Sequence, residues 1–303
     1  MAKPKVATTS LAGCFGCHMS VLDIDDRILK LVELVDFDKS PVDDIKQFSG
    51  RCAVGLIEGG CCNEENVRVL RDFRRHCDIL IAVGECAAMG GLPALRNMVP
   101  LKECLDEAYL NGPTVYNPAK RIPADKELPL LLKKVYPIQE VVKVDYFLPG
   151  CPPQDPQIWA VIEAIVSGKL PPKGSIVGAT EKTVCDECKH KREEKRIKQF
   201  HRYHEIIADS EQCLFDQGII CAGPATRGGC GALCTNVDIP CRWCYGPPPH
   251  VHDQGAALLS AVASVVDADT EEEAARIVGE IPDPIGTFYR FSLPASLLHR
   301  ARL

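Results

Sequence analysis

Four apolar runs, each followed by turn residues, mark the first half of the chain: 5–11 (KVATTSL), 53–57 (AVGLI), 78–83 (DILIAV) and 141–148 (VVKVDYFL). Their near-continuous apolar character predicts strands buried on both faces, the signature of a parallel sheet. Amphipathic stretches at 18–34, 63–76 and 94–110 lie between them and predict helices. Alternation of this kind implies an α/β unit with helices on both faces of the sheet and all strand carboxyl ends on one edge. Residues 111–140 carry Pro113, Pro118, Pro123, Pro129 and Pro137, and are read as a long loop with one short helix near 127–135.

A helix at 155–168 closes the first unit, and Pro171, Pro172 and Gly174 mark a boundary. The expected division is 1–172 and 173–303. Residues 175–250 show little strand pattern but hold eight cysteines among many glycines and prolines. They predict an irregular unit with few helices, fixed by bound cofactors. Helices are expected again at 253–266 and 270–280, before an apolar tail without periodicity.

Composition narrows the function. A 46% hydrophobic, 25% charged chain of 303 residues buries an ordinary core without needing metal to fold. A net charge of −6 gives no general attraction to nucleic acid or anionic membrane. No stretch reaches the roughly 18 apolar residues of a membrane span. The opening MAKPKVATTSLAGC shows neither a twin-arginine pair nor a cleavable apolar segment, so a cytoplasmic location is expected. Seventeen cysteines are then far too many. Disulfides are disfavoured in a reducing compartment, and the odd total argues against a fully paired framework. Metal or cluster ligation is the economical explanation.

Cys14 and Cys17 (GCFGCH), Cys86 (GEC) and Cys151 (GCPP) each follow a predicted strand. Ligands of open parallel sheets bind beyond the strand carboxyl ends, so three loops bring four thiolates to one edge. Four cysteine thiolates suit a cubane iron–sulfur cluster or, as a rival, a structural zinc ion. Gly13, Gly16, Gly84 and Gly150 let the backbone approach closely and take positive φ. The second set is Cys185, Cys188, Cys213, Cys221, Cys230, Cys234, Cys241 and Cys244, enough for two further sites. Spacing alone leaves the pairing open; the natural split takes the first four and the last four. Cys52, Cys77 and Cys104 read as core residues, and Cys61 and Cys62 as neighbours of the first site or plain filler. His18 reads as a hydrogen-bond donor rather than a ligand. The run 189–204 (KHKREEKRIKQFHRYH) reads as a solvated helix face with i, i+4 ion pairs, or else as a docking face for an acidic redox partner. With no GxGxxG or P-loop motif, no nucleotide site is expected.

The motifs GCFGCHMSVLDID, VGECAAMGGLPALRN and LPGCPP strongly resemble the small subunit of cytoplasmic nickel–iron hydrogenases. Residues 5–170 look like the NAD-reducing type. The two-cluster extension is more similar to the heterodisulfide-reductase-associated type that does not reduce deazaflavin. The resemblance implies a flavodoxin-like first domain with a proximal cluster on Cys14, Cys17, Cys86 and Cys151. It implies a distal cluster on Cys185, Cys188, Cys213 and Cys221, although many relatives have histidine where Cys185 stands. Cys230, Cys241 and Cys244 match the medial cluster. A cysteine at 234, where relatives with a three-iron cluster have proline, favours four irons, giving three 4Fe-4S clusters with a 3Fe-4S medial cluster as the alternative. Glu58 resembles a position facing the large subunit, or else is a helix N-terminal charge. The family's nickel–iron site lies between two CxxC motifs on a large subunit, and this sequence, ending in HRARL, does not reproduce them. The implied protein is therefore the electron-transfer subunit of a hydrogenase, working with that large subunit and with a further redox subunit: an NAD(P) or flavin module, or a heterodisulfide reductase-type complex. The rivals are a subunit of a quinone-linked, complex I-like oxidoreductase, and a zinc-stabilised scaffold without redox function.

Overall fold

The computed structural model describes residues 3–193 and 196–300. Seven strands form: β1 (Lys5–Ser10), β2 (Asp36–Phe37), β3 (Cys52–Glu58), β4 (Cys61–Asn63), β5 (Cys77–Val83), β6 (Leu131–Tyr136) and β7 (Tyr146–Leu148). Five of them make one parallel sheet in the order β2-β1-β3-β5-β7. Counted within that sheet alone, the order is 2-1-3-4-5, the flavodoxin-like doubly wound arrangement. Its switch point falls between β1 and β3, where the loops leaving neighbouring strands diverge.

The helices of the first unit are α1 (Gly16–Leu22), α2 (Arg27–Leu34), α3 (Glu64–His76), α4 (Glu85–Met89), α5 (Leu101–Asp106) and α6 (Asp155–Val166). On one sheet face α2, α6 and the turn between α1 and α2 bury Leu31, Ile158, Val161 and Ile24 against Val6, Val54 and Ile81. On the other, α3 buries Leu70 and Phe73 against Ala7, Ile57 and Leu80. α3 shows why this segment is helical. The Asn63 side chain accepts the Asn66 N–H at 2.8 Å, Glu64 and Glu65 open the helix, and Arg74, Arg75 and His76 close it.

Several expected elements differ. The expected helix at 18–34 is two helices, broken at Asp23–Asp26 where Asp25 takes a φ of 56°. The stretch 94–110 divides at Pro100 into a 3-10 turn (Leu92–Met98), then α5 and a π turn (Glu107–Asn111). The short helix expected near 127–135 is instead β6, paired antiparallel with β4. Its leucines and lysines satisfy either period over so few residues, and Pro129 favours an extended start. The strand expected at 141–148 shrinks to β7, since Val141 and Val142 finish a turn begun at Ile138.

In the second half, α7 (Gln254–Ala263), α8 (Glu271–Gly279), α9 (Pro284–Phe288) and α10 (Leu297–Arg300) follow a series of single 3-10 turns. A separate core forms here around Trp243, Phe215, Leu258 and Ile277. The described residues of the basic run are not the expected helix face. They lie in irregular chain that ends in a turn, with isolated bridges from Lys191 to Gln212, Ile197 to Val266 and His201 to Ile219. Ile197 and Phe200 are buried, while Arg196 and Lys198 pair with Asp267 at 3.5 and 3.6 Å. Glu194 and Lys195 lie outside the described residues.

The two halves are tied together. Val177 packs into the core of the sheet's α1/α2/α6 face, beyond the expected boundary at 172. Gln157 of α6 donates to the Gly229 carbonyl at 2.5 Å and also accepts from the Tyr245 hydroxyl. The Gly91 N–H donates to the Phe291 carbonyl at 3.1 Å, bringing the tail back to the loop after Cys86.

Asp145, buried before β7, accepts from Arg74 at 2.6 Å, Lys173 at 2.8 Å and the Leu80 N–H at 2.9 Å. Burial alone would raise its carboxyl. The hydrogen bonds outweigh that and hold it below the ordinary value of 3.8. Its stabilisation is therefore complete above that pH and is lost as the pH falls through the lower folded value. Asp145→Asn is expected to cost about 2 kcal/mol at neutral pH, read as a lower denaturant midpoint. The gap from wild type should close below pH 3.8.

Candidate cofactor sites

At the carboxyl edge of the sheet the chain turns sharply into α1 and α4. Cys14 lies in the turn after β1 and Cys17 in the first turn of α1, preceded by Phe15 at φ 67°. Cys86 is the second residue of α4, and Cys151 sits in the loop after β7. The four come together: Cys17 is influenced by Cys86, Cys151 and Cys14, and Cys86 by Cys151 and Cys14. Of the glycines expected at positive φ, Gly84 (80°) and Gly150 (132°) adopt it, whereas Gly13 and Gly16 do not. Those two serve only close approach. A Cβ on Gly13 would lie 3.2 Å from Gly59, and one on Gly16 3.1 Å from the Cys14 sulfur.

Burial dominates the electrostatics. It pushes the Cys86 thiol up to about 12 and Cys151 to about 11, and lifts Cys17 further. Bare thiolates are costly here, so the site suits a group that supplies positive charge to all four sulfurs. A Cβ at Gly84 would fall 2.3 Å from the Cys17 sulfur, and one at Gly91 2.6 Å from that of Cys86. The backbone thus cradles the sulfurs where any other residue would displace them.

The second half holds two more groups. Cys185 is influenced by Cys221, Cys213 and Cys188, with Arg192 alongside. Cys241 is influenced by Cys230 and Cys234, and Cys244 by Cys241 and Cys230. The chain therefore brings together the first four and the last four of the eight. Backbone N–H groups point at many of these sulfurs. Asp216 and Phe215 donate to Cys213, Gly223 to Cys221, Ala232 and Leu233 to Cys230, and Trp243 to Cys241. Each bond favours the thiolate against the burial that opposes it.

Consecutive sites touch. The Cys151 N–H donates to the Cys244 sulfur. The Cys241 N–H donates to the Cys221 sulfur at 3.2 Å. A residue of each quartet is thereby hydrogen-bonded to a sulfur of the next. Among the described residues, no three cysteine, histidine or acidic side chains converge on a single-ion site.

The remaining cysteines divide as their positions suggest. Cys52 and Cys77 are buried side by side on β3 and β5 at the far edge of the sheet. Cys104 is on α5. Cys61 and Cys62 lie in β4, with Cys62 bonded to Asn66. Glu58 is buried; its carboxylate accepts the His18 N–H at 2.9 Å and the Ser10 hydroxyl at 2.7 Å. It stands at the N-terminus of α1, with the His18 ring nitrogen Nδ1 3.0 Å away. Burial opposes its charge, but these hydrogen bonds hold its carboxyl below the usual range.

Sequence reading passed over Glu85. It is fully buried, burial pushes its carboxyl up to about 8, and the Gly150 N–H and Arg227 act against that shift. It lies beside the first quartet and influences Cys244 of the last. Its place next to Cys86 in GEC was the available signal. Gly84→Ala is expected to keep the far-UV dichroism of wild type. It should lower the iron of the anaerobically purified chain, measured per protein.

The family described as "NADH ubiquinone oxidoreductase, 20 Kd subunit" matches residues 14–165. An iron-sulfur subunit of the F420-non-reducing hydrogenase of Archaeoglobus profundus is 37% identical over 317 residues, covering 98% of each chain. The delta subunit of the NAD-reducing hydrogenase HoxS of Cupriavidus necator is 50% identical over 168 residues, 55% of this chain and 80% of that one. Among solved structures, an NAD+-reducing [NiFe]-hydrogenase in the H2-reduced state matches with a TM-score of 0.54 and 52% identity, covering 56% of this chain and 94% of that chain.

Proposed function

This chain belongs to the iron–sulfur small subunits of nickel–iron hydrogenases, and from that premise we propose that it carries three 4Fe-4S clusters in line between a nickel–iron large subunit and a further redox protein. The observation that carries the proposal is the row of three cysteine quartets, joined in order by the Cys151–Cys244 and Cys241–Cys221 hydrogen bonds. Cys14, Cys17, Cys86 and Cys151 would hold the proximal cluster. Cys230, Cys234, Cys241 and Cys244 would hold the medial one, and Cys185, Cys188, Cys213 and Cys221 the distal one. Bound clusters would supply one-electron oxidation and reduction at each site.

The residues of the chain set the conditions for that chemistry. Glycine turns bring amides close to sulfur. The N–H groups at Cys213, Cys221, Cys230 and Cys241 favour the charged ligand form. The core around Trp243 and Phe215 keeps water from the inner thiols. Similarity to iron-sulfur hydrogenase subunits supports clusters over zinc. Cys234 supports four irons at the medial site, with a 3Fe-4S cluster the lesser alternative.

Cys14 and Cys151 are exposed at the sheet edge, with Met19 and Leu92 nearby at 43% and 47% exposure. An apolar, thiol-bearing rim of this kind supports docking of the large subunit, on which dihydrogen is split heterolytically. Cys185 is exposed in the distal quartet and supports an exit to a third protein. The match to F420-non-reducing relatives runs through both halves, whereas the NAD-reducing relative stops after the first. That difference supports an acceptor of the heterodisulfide reductase type over an NAD(P) or flavin module. The quinone-linked alternative accounts only for residues 14–165 and leaves eight cysteines idle. A cytoplasmic setting fits the unpaired thiols, and no helix among the described residues is long and apolar enough to cross a membrane.

Anaerobic purification is expected to yield a brown complex with a large subunit, with about twelve irons and twelve sulfides on this chain. Cys213→Ser should remove about four of those irons, whereas Cys62→Ser should remove none. Colourless protein with stoichiometric zinc would overturn the reading.

A further inference from the structure

A chain of buried hydrogen bonds runs through the place where the two halves meet. The Tyr245 hydroxyl donates to Gln157 Oε1 and accepts the Gln154 N–H at 3.3 Å. Gln157 Oε1 also accepts that N–H, at 3.1 Å, while its Nε2 donates to the Gly229 carbonyl at 2.5 Å. The Gly229 N–H in turn donates to the Glu187 carboxylate at 2.6 Å. Tyr245 and Gln157 are only 2% and 7% exposed. Most members adjoin a ligand candidate. Pro152 and Pro153 alone separate Gln154 from Cys151, Gly229 precedes Cys230, Tyr245 follows Cys244 and Glu187 precedes Cys188. Gln157 lies in the first turn of α6 and joins the others.

The attachments on both sides are stiff. Each proline between Cys151 and Gln154 has its φ fixed by the ring, and the Pro153 carbonyl accepts the Ser20 hydroxyl of α1 at 2.5 Å. A shift of Gln154 is therefore passed on to Cys151 rather than absorbed. Opposite, Gly229 sits at φ 116° so close to the chain that a Cβ on it would lie 2.7 Å from the Ala179 Cα. Between the first and the last quartet, the Cys151 N–H also donates to the Cys244 sulfur. One such bond leaves the two halves free to pivot. The bonds from Gln154 to Tyr245 and from Gln157 to Gly229 add a second and a third point, and three points fix a joint. Burial strengthens each bond, because no water competes for it.

We propose that Tyr245 and Gln157 are positioning residues, a clamp that sets the gap between the proximal and medial clusters and with it the rate at which an electron crosses from one half of the chain to the other. The inference rests on the three-cluster reading of the cysteines. One electron leaves the proximal site and one arrives at the medial site, and the tyrosine hydroxyl keeps its proton throughout. Tunnelling falls steeply with distance, so a gap held to within about 0.5 Å depends on the groups that lock it.

Tyr245→Phe keeps the ring in its core and removes the hydroxyl. In the anaerobically purified complex with its large subunit, this variant is expected to keep the wild-type iron per chain. It should also keep the exchange of deuterium gas with water, which needs no electron to leave the large subunit. After rapid mixing with dihydrogen, electron arrival at the medial cluster, followed by freeze-quenched paramagnetic resonance, should slow by about tenfold. The magnetic coupling between the reduced proximal and medial clusters should weaken as well, a change that lower stability alone does not produce. Gln157→Leu, placed on α6 and next to no ligand, should repeat both effects and serves where the tyrosine variant does not fold. Unchanged arrival and coupling in a chain with full iron would overturn the clamp and leave the cluster reading intact. Loss of the medial irons in both variants would also overturn it, since the pair would then retain the cluster rather than space it. A wild-type chain without iron would remove the cluster reading and the clamp together.

Discussion

Sulfur that is buried yet must carry charge is the constraint on which this structure depends. A thiol inside a protein resists ionisation, and burial takes Cys221 and Cys241 up to about 12. Two things offset that cost: cationic groups shared among four sulfurs, and N–H dipoles aimed at them. Much of the irregularity of the second half follows. A regular helix or strand spends its N–H groups on its own carbonyls, whereas 3-10 turns and left-handed residues leave them free for sulfur. Trp243 at φ 72° and Ala232 at φ 52° are each followed within two residues by a ligand candidate.

The sheet solves a different problem. A 2-1-3-4-5 parallel order sends every loop of one edge toward the same place, so cysteines far apart in the chain meet without long connections. Glu58 and Glu85 end neighbouring strands or begin the following helix there, and they take opposite states. Hydrogen bonds from His18 and Ser10 keep Glu58 ionised, while at Glu85 burial outweighs the Gly150 N–H and Arg227 and pushes the carboxyl toward its neutral form.

Strands β1, β3 and β5 and the twelve ligand candidates were legible because both rest on strong local signals: continuous apolar runs, and cysteines that a reducing compartment leaves unexplained. β2, at two residues, is too short to leave a pattern. β6 was misread because LLKKVY fits either period, and only pairing with β4 decides. The grouping of the eight later cysteines was open in sequence, since spacing along an irregular chain does not fix which thiols meet. The hydrogen bonds onto sulfur were invisible because they depend on backbone direction, not residue type. Glu85 was overlooked for a related reason: a glutamate is ordinary until three-dimensional burial makes it otherwise.

The return of the tail to the loop after Cys86 bears on the order in which the molecule is built. Gly90 and Gly91 are covered by Pro294 and bonded to Phe291, residues made some two hundred positions later. During synthesis the sheet and its four edge thiols emerge and can fold first, since units fold as they leave the ribosome. The last segment then closes over them. The proximal loop therefore passes through a period of open access between its own folding and the arrival of the tail. Assembly of the first site has a natural window in time, set by chain order alone.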